Sequence, residues 1–263
     1  MPGDDVRRMD WPVTARTTVP HIRQTVADRE LESWLVVDLS PSMDFGTALT
    51  EKRELVLAAI TTVVHLTVRG GNRVGAVVAN GRDNYVIPAR AGRQHARHLM
   101  RRIAMTPRAA SGDGPGLAEL LESLRRPQRR RGLVAVVSDF LDGTDGDGPL
   151  PWERALRGLS ERHQLLGIEV LDPRELELPA AGLVTFVDPE TGHQLEVQTS
   201  DRRLRARYAT AAGRQRERIA TGLRHAGAAH LQLRTDRDWI ADVVRFVVAR
   251  RKFVIGAVGA GIR

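Results

Sequence analysis

The chain has 263 residues, 42% of them hydrophobic and 27% charged, enough for one large or two small packed cores. It contains no cysteine, which excludes disulfides, thiolate metal sites and cysteine nucleophiles. The net charge of +8 is nearly all arginine, since Lys52 and Lys252 are the only lysines, and the 4% of aromatics do not interleave with the arginines. That arrangement lacks the stacking platform of a single-strand binder and argues against nucleic acid as a partner. The opening stretch "MPGDDVRRMDW" is charged from its fourth residue, unlike a signal peptide, and the apolar stretch Phe253–Ile262 is too short to span a bilayer. A cytoplasmic protein without a membrane span is expected.

In chain order, residues 1–29 read as an irregular, polar arm carrying the acid–arginine cluster "GDDVRRMDW". Residues 30–252 then alternate strand-like and helix-like segments. "LESWLVVDLS" is apolar on both faces at its centre, as a strand inside a parallel sheet must be. "EKRELVLAAITTVVHLTVRG" has helical spacing through Leu55, Ala59, Val63 and Leu66. The strands "RVGAVVA" and "NYVIPA", the helices "RQHARHLMRRIAM" and "GLAELLESLRR" and the strand "GLVAVVSDF" follow. The basic run "LRRPQRRRG" before that last strand reads as a solvated connection. "WERALRGLSERH", "QLLGIEVLD", a long helix from Asp201 to Gly227, "AHLQLRT" and "RDWIADVVRFVVARRKF" complete the alternation. The long helix carries Leu204, Tyr208, Ala212, Ile219 and Leu223 on one stripe. One segment breaks the rhythm: "LVTFVDPETGHQLEVQT", at about residues 183–199, predicts a β-hairpin inserted at one edge of the sheet. Residues 253–263 read as a C-terminal tail. The fold class expected is α/β: a doubly wound, mostly parallel sheet with helices on both faces.

Two apolar strands end in carboxylates, at Asp38 and Asp139, and in such a sheet neighbouring strand ends face one crevice. Ser40 and Ser42 follow Asp38 at alternate positions, so an extended backbone would place both hydroxyls on one side. The set Asp38, Ser40, Ser42 and Asp139 is all hard oxygen, which suits Mg²⁺ or Mn²⁺. The competing reading is a capped turn in which Ser42 or Asp44 caps the following helix.

"VVDLSPSMDFGT" resembles the opening of a von Willebrand factor A (vWA) type domain, with Asp38, Ser40 and Ser42 matching its metal-ion-dependent adhesion site. "PGDDVRRMDWPVTART", "SMDFGT", "EKRELV", "VSDFLD" and "DPRELELPAAGLVTFVDPETG" resemble the bacterial MoxR-associated branch, domain-of-unknown-function family 58, over Pro2 to about Lys252. Members of that branch usually carry more chain ahead of the Gly-Asp-Asp-Val-Arg segment. The resemblance implies a non-enzymatic protein-binding module that works with a MoxR-type AAA+ ATPase and client proteins in complex assembly or maturation. The family's third loop supplies a threonine; here "TPRAASGDGPGLAELL" puts Pro115 at that position, leaving Thr106, Ser111 or Asp113 as substitutes. No phosphate loop, nucleophile elbow or H-E-x-x-H pair is present. The alternative function is a Mg²⁺-dependent phosphohydrolase using Asp38 and Asp139.

Overall fold

The computed structural model describes residues 11–17, 19, 31–108, 114–124, 131–144, 146, 148–188 and 191–260. The chain divides into two units, Met1–Glu30 and Leu31–Arg263. The arm expected to be irregular contains a helix, α1 (Trp11–Thr17). Pro12 lies in its first turn, where a missing N–H breaks no helical bond, and Thr17 Oγ1 donates back to the Val13 carbonyl at 2.9 Å. The acidic residues Asp4, Asp5 and Asp10 and the run at 125–130 lie outside the described residues.

In the second unit, β1 (Glu32–Asp38), β2 (Arg73–Ala79), β3 (Asn84–Arg90), β4 (Gly132–Ser138), β5 (Gln164–Leu171) and β8 (Ala229–Arg234) form one sheet in the order β3-β2-β1-β4-β5-β8. Every pair is parallel except β2 with β3. Alternate side chains of each central strand enter opposite cores, which is why "WLVV" carries no polar face. Leu35 and Val37 pack under α2 (Lys52–Arg69), α3 (Arg93–Ala104) and α7 (Trp239–Ala260). Trp34 and Val36 pack under α4 (Leu117–Ser123), α5 (Pro151–Ser160) and α6 (Arg202–His225). The doubly wound α/β class expected from the alternation is the one observed.

Three expectations are corrected. The hairpin β6 (Leu183–Val187) and β7 (Gln194–Gln198) is a separate two-stranded sheet and does not join the edge of the main one. The edge beside β5 is already taken by β8, which pairs with it from Leu166 to Leu171. α7 runs through Lys252 to Ala260 without a tail beginning at 253, since the apolar stretch there has no proline to stop it. Leu66 is exposed, because the buried stripe of α2 steps through Ile60, Val63, Val64 and Thr67.

β1 leads by α2 to β2 on one side, while β4 lies on the other side of β1 and leads by α5 to β5. The carboxyl ends of β1 and β4 therefore flank the point where the winding reverses, where such sheets leave a crevice.

Candidate functional site

A cleft of about 730 Å³ opens at those strand ends, and Asp38, Ser40, Ser42 and Asp139 all line it. The geometry of the first loop differs from the extended one expected. Pro41–Met43 is a 3-10 turn, and Leu39, Pro41 and Met43 are buried beneath it while Asp38, Ser40 and Ser42 face outward. Asp38 Oδ1 accepts the Ser40 N–H at 2.9 Å, which folds the loop back on the strand end. The two serine hydroxyls lie 3.1 Å apart. The capping alternative does not hold: α2 begins eight residues later with Glu51 as N-cap, and Asp44 pairs with Arg53 at 3.1 Å and Arg108 at 3.4 Å.

The second side of the rim is built around a strained residue. Phe140 has φ of 57°, a left-handed conformation that bulky residues rarely take. Its buried ring holds it there, meeting Trp152 edge-on at 5.3 Å, and Gly167 leaves the space that Phe140 and Leu223 fill. The Phe140 N–H donates to Ser138 Oγ at 3.0 Å, and that hydroxyl donates to Asp38 Oδ2 at 2.7 Å, tying the two strand ends together.

Asp139 and Asp38 sit in opposite electrostatic surroundings. Lys52, the first residue of α2, is fully buried, with its ammonium 2.7 Å from Asp139 Oδ2 and 2.6 Å from Glu175 Oε1. Burial works against both charges, yet the Lys52 cation holds the Asp139 carboxyl below its ordinary range, and Asp139 and Glu175 hold the lysine above its own. Arg216, from α6, continues the chain of charges: it bonds Glu169 at 3.2 Å, Glu175 at 3.4 Å and the Asp139 carbonyl at 3.2 Å. Glu169 also accepts from His230 at 2.7 Å and Gln232 at 2.8 Å. Among the described residues Asp38 is partnered only by neutral donors. Burial and the nearby Asp139 charge push its carboxyl above the usual range, despite the hydrogen bonds from Ser138 and Ser40.

The third loop contributes backbone and no hydroxyl at the place expected. Gly114, Pro115 and Gly116 line the cleft, and Gly114 N–H donates to the Gly81 carbonyl at 2.7 Å. A Cβ on Gly114 would come within 2.4 Å of that same oxygen, so the close approach requires glycine. Asp142 accepts the Leu117 N–H at 2.9 Å and caps α4. Thr106 is no substitute ligand: it is buried away from this cleft, 2.7 Å from the Tyr85 hydroxyl, because the loop containing it turns under β3. Ser111 and Asp113 lie outside the described residues.

Among the described residues no three His, Asp or Glu side chains converge as metal ligands, so a cation here would depend on hydroxyls. The first loop meets that requirement. Asp38 stands beside two serine hydroxyls with neutral hydrogen-bond partners, a hard-oxygen face suited to Mg²⁺ or Mn²⁺. Charge points the same way: the linked carboxylates Asp38, Asp139, Glu169 and Glu175 outnumber the permanent cations Lys52 and Arg216 by two.

Residues 1–218 match the family described as "Protein of unknown function DUF58". The chain belongs to that family. An uncharacterized protein of Mycobacterium tuberculosis (strain ATCC 25618 / H37Rv) is 53% identical to this DUF58 chain over 251 residues, covering 95% of it and 77% of the relative. Two solved structures share its fold. The conserved hypothetical protein BatB from Bacteroides thetaiotaomicron is 15% identical with a TM-score of 0.50, covering 84% of this chain and 98% of its own. An aerotolerance-related membrane protein from Bacteroides fragilis is 16% identical with a TM-score of 0.50, covering 81% and 96%. At such identity the likeness is one of fold alone. In this DUF58 chain no helix among the described residues is long and apolar enough to cross a membrane.

The strand-end carboxylates and both serines stood out in the sequence; Lys52, Glu169, Glu175 and Arg216 did not. Signals for three of them existed. Lys52 is one of two lysines in an arginine-rich chain, Glu169 is the lone charge inside "LLGIEVL", and Arg216 fills the gap that the stripe Ala212–Ile219 leaves.

Proposed function

We propose that this DUF58 protein is a non-enzymatic protein-binding module whose Asp38, Ser40 and Ser42 hold a Mg²⁺ or Mn²⁺ ion at the mouth of the cleft. The ion keeps one position for an acidic side chain of a partner, which links partner binding to metal binding. The observation that carries this reading is Asp38 itself, a part-buried carboxyl beside two hydroxyls, facing a cleft and met by no cation among the described residues. By family resemblance the partner is a MoxR-type AAA+ ATPase, and the role is assembly or maturation of other protein complexes in the cytoplasm. The test is a pull-down of the ATPase with wild type and Asp38→Ala, with and without EDTA. Capture lost in both the variant and the chelated sample is expected; capture unchanged in both defeats the metal-bridged reading.

The phosphohydrolase alternative gains a lysine near Asp139, the residue type whose absence from the first loop counts against it. That lysine is unsuited to the task. Its ammonium is fully buried between two carboxylates, and Glu119, Asp142, Glu175 and Asp188 line the same cleft and repel a phosphate. Phosphoester turnover that is lost in Asp139→Asn would reinstate it.

A further inference from the structure

Lys52 is the structure's least expected feature: an ammonium with no exposure, lodged against a carboxylate of the metal rim. We infer that Lys52 is a resident cation that withholds Asp139 from direct metal ligation, so that the divalent ion is held by Asp38, Ser40 and Ser42 and reaches Asp139 only through water. This rests on the metal reading above and names what sets the affinity and ligand set of that site.

Three observations carry it. Asp139 Oδ2 faces the Lys52 ammonium at 2.7 Å and Oδ1 accepts the Leu141 N–H at 3.1 Å. Asp38 also has one partner on each oxygen, but both of its partners are neutral, so only Asp139 already carries a cation. Lys52 cannot swing away, because its second partner, Glu175, is held from behind: Glu175 Oε2 accepts the Asp172 N–H at 3.0 Å and lies 3.4 Å from Arg216. The first loop, by contrast, presents a carboxylate with neutral partners and two part-buried hydroxyls to the cleft. A cation entering the cleft meets one rim open and the other already occupied by a positive charge. Direct coordination by Asp139 would place two cations on one carboxylate, one of them an ammonium with no exposure. Glu175 thus sets the position of Lys52, and Lys52 sets the role of Asp139; both are positioning residues rather than ligands.

The test uses the full chain and Mn²⁺ alone as probe. Removing the charge in Lys52→Met releases Asp139 to the metal. Calorimetric titration is expected to show Mn²⁺ bound at least tenfold more tightly than in wild type. Water-proton relaxation of the bound Mn²⁺ is expected to report one fewer coordinated water, a readout that general loosening of the fold would not produce. Lys52→Arg, which keeps the charge, is expected to keep the wild-type water count. If Lys52→Met does not fold, Lys52→Met/Glu175→Gln replaces it, since it removes one charge of each sign and frees the same carboxylate. A folded variant with unchanged or weaker Mn²⁺ affinity and an unchanged water count, beside a wild type that binds, overturns this inference and leaves the metal reading standing. Failure of both wild type and variant to bind Mn²⁺ overturns the two together.

Discussion

On the β1 side of the cleft, Asp38 is met by a serine hydroxyl and a backbone N–H, and its carboxyl is pushed above the ordinary range. On the β4 side, Asp139, Glu175 and Glu169 are each met by Lys52 or Arg216, within the protein interior. A carboxylate buried without a cation is costly, and one buried with a well-placed cation is costly only when that partner is taken away. The two sides of one rim should therefore respond in opposite directions to substitution: the paired side breaks, and the unpaired side does not.

The largest effect belongs to Arg216. Its side chain is only 9% exposed and serves Glu169, Glu175 and the Asp139 carbonyl at once. Arg216→Met should leave Glu169 as a buried, uncompensated charge and lower the unfolding free energy by about 3–5 kcal/mol, read from urea titration. A loss under about 1 kcal/mol would mean that His230 and Gln232 suffice for Glu169. Adding Glu169→Gln should recover part of the loss, since the two residues are directly coupled.

A third carboxylate sharpens the comparison, because it is buried with neutral donors only and still ionises readily. Asp172 accepts from the Thr47 N–H at 2.8 Å, Thr47 Oγ1 at 2.6 Å, Thr235 Oγ1 at 2.8 Å and the Arg174 N–H at 2.9 Å. Burial alone would raise its pKa; these bonds outweigh it and hold the carboxyl below its ordinary 3.8. Four donors reach Asp172, whereas at Asp38 the Asp139 charge adds to burial and outweighs the hydrogen bonds from Ser138 and Ser40, and the sign of the shift follows. Asp172→Asn should cost about 2–4 kcal/mol at neutral pH, since an amide nitrogen cannot accept. A lowered folded pKa gives stability that is present above the unfolded value and lost as pH falls through the folded one. The gap between wild type and variant should therefore narrow below pH 3.8, as seen in urea unfolding across that range.

How far the site was legible follows the same division. Asp38 and Asp139 stood at the ends of apolar runs, and a strand that must be apolar on both faces leaves its first polar residue at the sheet rim. Ser40 and Ser42 were found as well, although a turn and not extended backbone brings them together. The charges that pair with one another on the β4 side come from α2, β5, the turn at Pro173–Glu175 and α6, spread over more than 160 positions between Lys52 and Arg216. No local spacing encodes a contact of that range; only the packing of α2 and α6 on opposite faces of one sheet creates it. The hairpin's type was likewise legible from "DPETG", and its attachment was not, because edge pairing was decided by β8 thirty residues further on.

The smallest expected effect, and the one that separates the two sides most cleanly, is Asp38→Asn. The amide keeps the shape and can still accept from Ser138 or Ser40, while the charge that burial disfavours is gone. The sign then runs opposite to Arg216→Met: in EDTA at neutral pH the variant should lie within about 1 kcal/mol of wild type, on the stabilising side. Adding Mg²⁺ should restore the order. Wild type gains stability by mass action, about 2.7 kcal/mol at a hundredfold excess over its dissociation constant, and the variant gains none. Thermal unfolding with and without Mg²⁺ reads both halves in one experiment. If Asp38→Asn is instead strongly destabilised in EDTA, its charge is being offset inside the protein, and the open side of the rim is no less paired than the closed one.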